Sequence, residues 1–234
     1  MDPVVMIPGL GSDGAVWQPT IDLLSPDVEC QVGDTLSDDS LPGMAARILK
    51  HAPPKFALAG VSMGGMVALE IMRVAADRVA RLFLCDTNAR PDTPEQTTRR
   101  RSANAAMLAT DDLAALAAPS IACMVHPKAD LRVRDALLQM TLRVGAATYV
   151  RQNEAVMARR DLLSVLTTIA VPTMVVVGAD DRMTPPAFSQ AISEAVSGAT
   201  IRVIPECGHL PPIEKPTAVA RLIREWLQGG RSPQ

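Results

Sequence analysis

The run Gly60-Val61-Ser62-Met63-Gly64 sets a serine between two glycines at the spacing G-x-S-x-G. It follows the apolar stretch 56–60 and precedes an amphipathic segment over 63–76, a pattern of strand, sharp turn and helix. In such a turn, side chains two residues before and after the serine would collide with adjoining strands and helix, and glycine avoids the collision. The hydroxyl is then exposed at a strand end, beside a helix N-terminus whose free N–H groups and dipole favour negative charge. The chemistry this allows is nucleophilic attack by Ser62 Oγ. The competing reading is a Gly-Ser turn with Ser62 as an ordinary helix N-cap. Placement between an apolar strand and an amphipathic helix favours the nucleophile.

A serine hydroxyl is a poor nucleophile without an adjacent base. The chain has three histidines. His51 follows Lys50 at the end of a helical pattern, where solvation or a dipole contact accounts for it. His126 lies in the helical interval, in Met124-Val125-His126-Pro127, where a surface role is favoured over lining of the pocket. His209 sits in Gly208-His209-Leu210-Pro211-Pro212, directly after the last strand candidate. A glycine beside the ring and two prolines behind it make a stiff loop that can project the imidazole over the strand ends, so His209 is the candidate base. The third member must orient that imidazole and stabilise its charged form. The loop Gly178-Ala179-Asp180-Asp181-Arg182-Met183-Thr184-Pro185 holds two carboxylates after the penultimate strand. Asp181 is preferred, because Asp180 can instead cap the turn through an Asx-type hydrogen bond. Asp86, after another strand, is a third candidate. The order serine, acid, histidine suits either loop carboxylate.

An acyl-transfer site also needs donors aimed at the developing oxyanion. One expected donor is the Met63 N–H, the residue after the nucleophile. The other is expected from the loop after the first strand, Pro8-Gly9-Leu10-Gly11, with the Leu10 N–H as the choice. Gly9, Met183 and Leu210 are the expected substrate contacts. The same loop matches G-x-G-x-x-G at Gly9, Gly11 and Gly14, with Asp34 after the second strand, so a dinucleotide-binding reading must be weighed. Pro8 before the motif and the bulky, Pro-interrupted start Val16-Trp17-Gln18-Pro19 argue against it. It would also leave the serine, aspartate and histidine loops unexplained.

These loops need a scaffold that brings strand ends together. Strand candidates fall at 4–7, 29–33, 56–60, 81–85, 174–178 and 201–204, several of them apolar without alternation, as for strands covered on both faces. Helical patterns lie between them at 15–24, 41–51, 63–76, 186–196 and 217–227. The alternation implies an α/β fold with a doubly wound, mostly parallel sheet of about six strands. In such a sheet ligands bind beyond the carboxyl ends of the strands, where every candidate above falls. From residue 88 to 169 no strand pattern occurs. Helical periodicity appears at 95–108, 131–145 and 148–160, with starts at Thr93-Pro94-Glu95 and Asp130. This interval is expected to be an inserted helical cap, residues 88–169, over a core formed by 1–87 and 170–234. The tail 229–234 is expected to fray.

The bulk properties narrow the classes further. The chain has 234 residues, 48% hydrophobic and 21% charged, with formal net charge −2. That is an ordinary globular balance without the concentrated basic surface of a nucleic-acid or anionic-membrane partner. The run Arg99 to Arg101 reads as a solvated helix face. No stretch approaches the roughly 20 apolar residues of a membrane span, and the N-terminus has no secretion-signal pattern. The four cysteines, Cys30, Cys85, Cys123 and Cys207, form no CxxC pair and read as reduced thiols rather than bridges or metal ligands. A cytoplasmic location is the expectation. Twelve methionines and 3% aromatic residues suit an adaptable apolar pocket, with Met63, Met183 and some of Met107, Met124, Met140 and Met157 as possible lining.

Taken together, Pro8-Gly9-Leu10-Gly11, the G-x-S-x-G turn, Val177-Gly178-Ala179-Asp180-Asp181-Arg182-Met183-Thr184-Pro185 and Cys207-Gly208-His209-Leu210-Pro211-Pro212-Ile213-Glu214-Lys215-Pro216 resemble the α/β-hydrolase superfamily over nearly the whole chain. The resemblance is greatest to its small bacterial carboxylesterases and lactonases, such as 3-oxoadipate enol-lactonase and the methyl esterase of biotin synthesis. It implies a triad Ser62, Asp181, His209, since the acid of that family commonly falls three residues after the strand-ending glycine. It implies no cofactor and no metal, and a small-molecule ester or lactone as substrate, cleaved through an acyl-enzyme. Two departures stand out: Pro8 where the family often has histidine, and a start at the first loop-bearing strand, which leaves six strands rather than eight. The same scaffold hosts C–C hydrolases, perhydrolases and hydroxynitrile lyases, and a non-catalytic ligand receptor is the alternative of another class. A haloalkane dehalogenase would place an aspartate where Ser62 stands.

Overall fold

A computed structural model describes residues 2–229 of the chain. The expected fraying of the tail falls, from residue 230 on, outside the described residues. Six strands form one sheet: β1 (Val4–Ile7), β2 (Cys30–Val32), β3 (Phe56–Val61), β4 (Val79–Cys85), β5 (Thr173–Gly178) and β6 (Thr200–Ile204). Their order is β2-β1-β3-β4-β5-β6, and every pairing is parallel. β1, β3 and β5 are buried at every position. This is why their sequences run apolar without alternation.

Successive strand residues serve opposite faces. Val4, Met6, Ala57, Ala59, Phe83 and Val176 pack against one set of helices, and Val5, Ile7, Leu58, Leu82, Leu84 and Val175 against the other. The first face is covered by α1 (Gln18–Leu24) and, from the far end of the chain, by a thirteen-residue helix over Pro216–Gln228. Trp226 of that helix meets the Phe83 ring edge-on, with centroids 5.5 Å apart, a favourable aromatic geometry. The second face is covered by α2 (Leu41–His51), α3 (Met63–Ala75) and a helix over Pro186–Ala195.

Between β4 and β5 lie α4 (Pro94–Ala109), α5 (Leu113–Met124), α6 (Leu131–Met157) and the single turn α7 (Leu163–Leu166). The helices at 186–195 and 216–228 are α8 and α10, and α9 is one turn, Pro211–Glu214. α4 begins where the sequence predicts: Thr93 and Gln96 exchange side-chain and backbone hydrogen bonds in a capping box. Asp130 caps α6 through the Arg132 N–H. The two helical patterns at 131–145 and 148–160 correspond to two helical stretches of α6 that meet at a kink at Gly145, whose φ of 73° and ψ of 160° lie outside helical space. α5 has no counterpart in the sequence reading. It contains Pro119 and a nearly uniform run of alanine and other apolar residues, so it lacks the amphipathic period that marks a helix. Among the described residues, no helix is long and apolar enough to cross a membrane.

The register sets the working edge of the sheet. Ile7 lies beside Gly60, Val61 beside Cys85, and Gly178 beside Ile204. The loops that follow β1, β3, β4, β5 and β6 therefore leave the sheet at one level. Ala117, Ile121, Leu137 and Met140 of α5 and α6 pack in the same core cluster as Cys207, Leu210 and Ile213, so the helical block rests on that edge.

Candidate active site

Ser62 joins β3 to α3 with φ 55° and ψ −119°, a conformation that L-residues seldom adopt. Neighbouring groups hold it there. The Ser62 N–H donates to Cys85 O at 2.9 Å, and its carbonyl accepts from Thr87 Oγ1 at 2.7 Å and Gly65 N at 3.0 Å. A strained residue persists when its surroundings over-determine it in this way. The flanking glycines are required by proximity: a Cβ on Gly60 would stand 2.3 Å from Gly64 O, and one on Gly64 would stand 2.2 Å from Ile7 O.

His209 follows β6 and is 4% exposed. Its loop is anchored by one carboxylate. Glu214 accepts from Gly208 N at 3.0 Å, Leu210 N at 3.0 Å and His126 N at 2.8 Å. The His209 N–H donates to Met124 O at 2.7 Å, tying the loop to the end of α5. The imidazole is thereby aimed in two directions. Nε2 stands 2.8 Å from Ser62 Oγ, and Nδ1 stands 2.9 Å from Asp181 Oδ2.

The geometry distinguishes the three candidate acids. Asp181 is buried, and its Oδ1 accepts from Met183 N at 2.7 Å and Thr184 N at 3.0 Å, while Oδ2 accepts from Thr184 Oγ1 at 2.7 Å and faces His209. The Asx-type bond expected of Asp180 is thus made by Asp181. Asp180 is exposed and turns away, its carboxylate 3.6 Å from His126 Nε2. Asp86 is fully buried behind Asp181, with its own positive φ of 44°. Burial by itself raises the Asp181 pKa, but hydrogen bonds and charge from His209, with hydrogen bonds from Asp86 and Thr184, outweigh it and hold the carboxyl below the usual range. Asp86 goes the other way: burial, then the Asp181 charge and their shared hydrogen bond, push it well above the usual range.

The loop after β1 runs against the serine, and a Cβ on Gly9 would lie 3.3 Å from Ser62 Cβ. Among the described residues, the N–H groups of Leu10 and Met63 donate to no protein acceptor. The loop itself is held by Gln152 of α6, which is fully buried, accepts from Gly11 N at 2.8 Å and donates to Thr35 O at 3.0 Å. Of the expected substrate contacts, Leu210 is buried beside His209, and Met183 is half exposed on the acid loop. Asp13 occupies the start of the short helical turn at 14–16, accepting from Ala15 N at 2.9 Å and pairing with Arg143 at 2.9 Å. A carboxylate there repels a pyrophosphate, and Asp34 is already bonded to Leu36 N, Ser37 Oγ and Arg47. The dinucleotide reading of the glycine pattern therefore finds no support.

Burial pushes the Cys85 and Cys207 thiols up, and both are fully buried, which suits packing rather than reactivity. All four cysteines are free. Glu214, Thr184 and Gln152 escaped the sequence reading. Glu214, five residues after His209, and Thr184, three after Asp181, lie within loops the motifs had marked. Gln152 is 141 positions from its partner Gly11, and nothing local signals it.

The pimeloyl-[acyl-carrier protein] methyl ester esterase of Methylococcus capsulatus is 27% identical over 239 residues, covering 96% of this chain and 94% of that enzyme. Its namesake from Aliivibrio salmonicida is 34% identical over 95 residues, 37% of this chain and 36% of the relative. Among solved structures, a thermophilic esterase from Thermogutta terrifontis superposes with a TM-score of 0.88 at 29% identity, over 97% of this chain and 90% of the other. The sequence model of the alpha/beta hydrolase family aligns to residues 4–222, from the first strand into the last helix, and carries every loop described above, so the chain belongs to that family.

Proposed function

We propose that the protein is a serine hydrolase that cleaves carboxylic esters or lactones of small to medium apolar molecules through an acyl-enzyme on Ser62. The observation that carries this reading is the continuous chain of hydrogen bonds Ser62 Oγ–His209–Asp181, at 2.8 Å and 2.9 Å. In the proposed reaction, Ser62 Oγ attacks the ester carbonyl while His209 Nε2 takes its proton. Asp181 holds the imidazole and offsets its charge once protonated. The Leu10 and Met63 N–H groups receive the oxyanion, at a helix N-terminus that favours negative charge. His209 then protonates the leaving alcohol and activates water for deacylation. Gly9, Met183 and Leu210 are the proposed substrate contacts, and residues 88–169 the proposed cap over the core 1–87 and 170–234. The relatives named as esterases support an ester as the substrate.

The test is hydrolysis of a short-to-medium p-nitrophenyl ester series by the wild type and Ser62→Ala. Turnover in the wild type should fall by about 10⁴-fold or more in the variant, as when a triad nucleophile is removed. A variant that kept most of its turnover would refute the assignment. Fluorophosphonate labelling of the wild type, lost in Ser62→Ala, separates an enzyme from a non-catalytic ligand receptor, because only an activated serine reacts.

A further inference from the structure

Asp86 is a buried ionisable group that the proposed reaction does not use. It follows β4 directly, fully buried, with a positive φ of 44°. Its Oδ1 accepts from Gly178 N at 2.9 Å, and Cys85 Sγ lies 3.2 Å from its Oδ2. Asp86, Asp181 and His209 each bring one polar atom into a group spanning no more than 4.8 Å. The titratable groups facing Asp86 are Asp181 from the β5 loop, His209 and Cys207 from the β6 loop, and Cys85 beside it on β4. Burial keeps both thiols neutral, and no arginine or lysine is among these groups.

Two carboxylates with oxygens within 4.8 Å of each other in a buried site without a lysine or arginine repel strongly, and one of them retains a proton. Which one is fixed by their partners. Asp181 has three donors besides His209: the Met183 and Thr184 N–H groups and the Thr184 hydroxyl. Asp86 has one backbone donor and a weak thiol. We propose that Asp86 is a positioning residue, a neutral carboxylic acid that donates its O–H to the Asp181 carboxylate and fixes that carboxylate opposite His209. The same three side chains have the composition of a cation site, but the Asp181 oxygens and the His209 Nδ1 are already engaged with one another and with protein donors, which favours a shared proton. The catalytic consequence rests on the acyl-transfer reading above. The protonation state does not.

The conservative variant separates a neutral Asp86 from an ionised one. In Asp86→Asn, the side-chain amide keeps a donor for Asp181 and an acceptor for the Gly178 N–H without changing the charge of a neutral Asp86. Asp86→Ala should lower kcat by about tenfold with a smaller change in KM, the loss expected when one charge-assisted hydrogen bond is removed. Asp86→Asn should restore most of that loss and leave the acid limb of the pH–rate profile in place. If Asp86 were ionised, Asp86→Asn would remove a negative charge near His209 and move that limb to lower pH, which would overturn the proposal. The second measurement needs no activity. The infrared spectrum of the wild type at neutral pH should contain the C=O stretch of a protonated carboxylic acid that is missing from Asp86→Asn, and its absence from the wild type would also overturn the proposal. Should Ser62→Ala keep its ester turnover, the acyl-transfer reading fails, while the infrared band still decides the state of Asp86.

Discussion

Ser62, Asp181 and His209 meet because three short loops are held by groups outside that chain of hydrogen bonds. The clearest of these is Glu214, whose two carboxylate oxygens take three backbone N–H groups from both sides of His209 and from the chain beyond α5. Glu214→Gln replaces one acceptor oxygen with an NH2 group that can only donate, so at least one N–H loses its partner. The expected cost is about 1–3 kcal/mol of stability, as for a buried donor left unpaired, with a parallel loss of turnover as the imidazole loosens. Urea unfolding and steady-state kinetics on the same preparation check it. Equal stability in urea would show that the carboxylate does not anchor the loop. At this scale the sequence was informative where chemistry is local. The G-x-S-x-G spacing, the Gly-His loop and the Asp-Asp loop marked the serine, the histidine beside it and the loop whose carboxylate faces that histidine. Choosing between neighbouring carboxylates was harder, because both lie after the same strand and only the turn direction separates them. The Met183 and Thr184 N–H groups turn Asp181 inward, and Asp180 is left beside His126.

At the scale of elements, all six strands were legible: β1, β3 and β5 because burial on both faces leaves only apolar and small residues to choose from, and the partly exposed edge strands β2 and β6 by their place in the alternation of strands and helices. Helices such as α2, α8 and α10 were legible for the opposite reason, that they bury one side and wet the other. α3, expected to be amphipathic, is instead buried at every position from Met63 to Met72, because the helical block covers it as well as the sheet. The block between β4 and β5 was legible only in part. α5 exposes alanines, Pro119 and Cys123 rather than charged residues, so its sequence shows no polar period, whereas the patterns at 131–145 and 148–160 match the two helical stretches that meet at the Gly145 kink. The break is useful to the site. Residues before Gly145 pack with α5 over the His209 loop, and residues after it carry Gln152 to the loop at Gly11. Gly145 has nothing within 4 Å of where a Cβ would lie, so a substitution there meets backbone strain and no clash. Its φ and ψ belong to a region that is essentially glycine-only, at about 1–3 kcal/mol for other residues. Gly145→Ala should therefore lower Tm by several degrees, at about 2–4 °C per kcal/mol for a chain of this size. An unchanged Tm in calorimetry would mean that the helix straightens without loss and that the kink is not required.

For the whole molecule, the carboxyl pair at the sheet edge couples folding to pH. In the unfolded chain Asp86 titrates near an ordinary value of about 3.9, whereas in the fold its pKa stands well above that. Above pH ~4 the folded state therefore holds a proton that the unfolded state has released. The stability that Asp86 contributes is complete below its unfolded pKa and is lost as pH rises towards its folded pKa, by about 1.4 kcal/mol per pH unit. Asp181 has the opposite sign: its folded pKa is depressed, so its contribution is present at neutral pH and is lost as pH falls through the folded value. Asp86→Asn leaves Asp181 and His209 in both proteins and removes only the group that takes up the proton. The variant should accordingly gain on the wild type as pH rises from about 4.5 to 7, and the difference in unfolding free energy should widen steadily over that window. Parallel urea titrations at several pH values measure it directly, with no substrate and no assumption about the reaction. A difference that stays flat across the window would mean that Asp86 is ionised in the fold, and that the sheet edge carries two charges where we infer one.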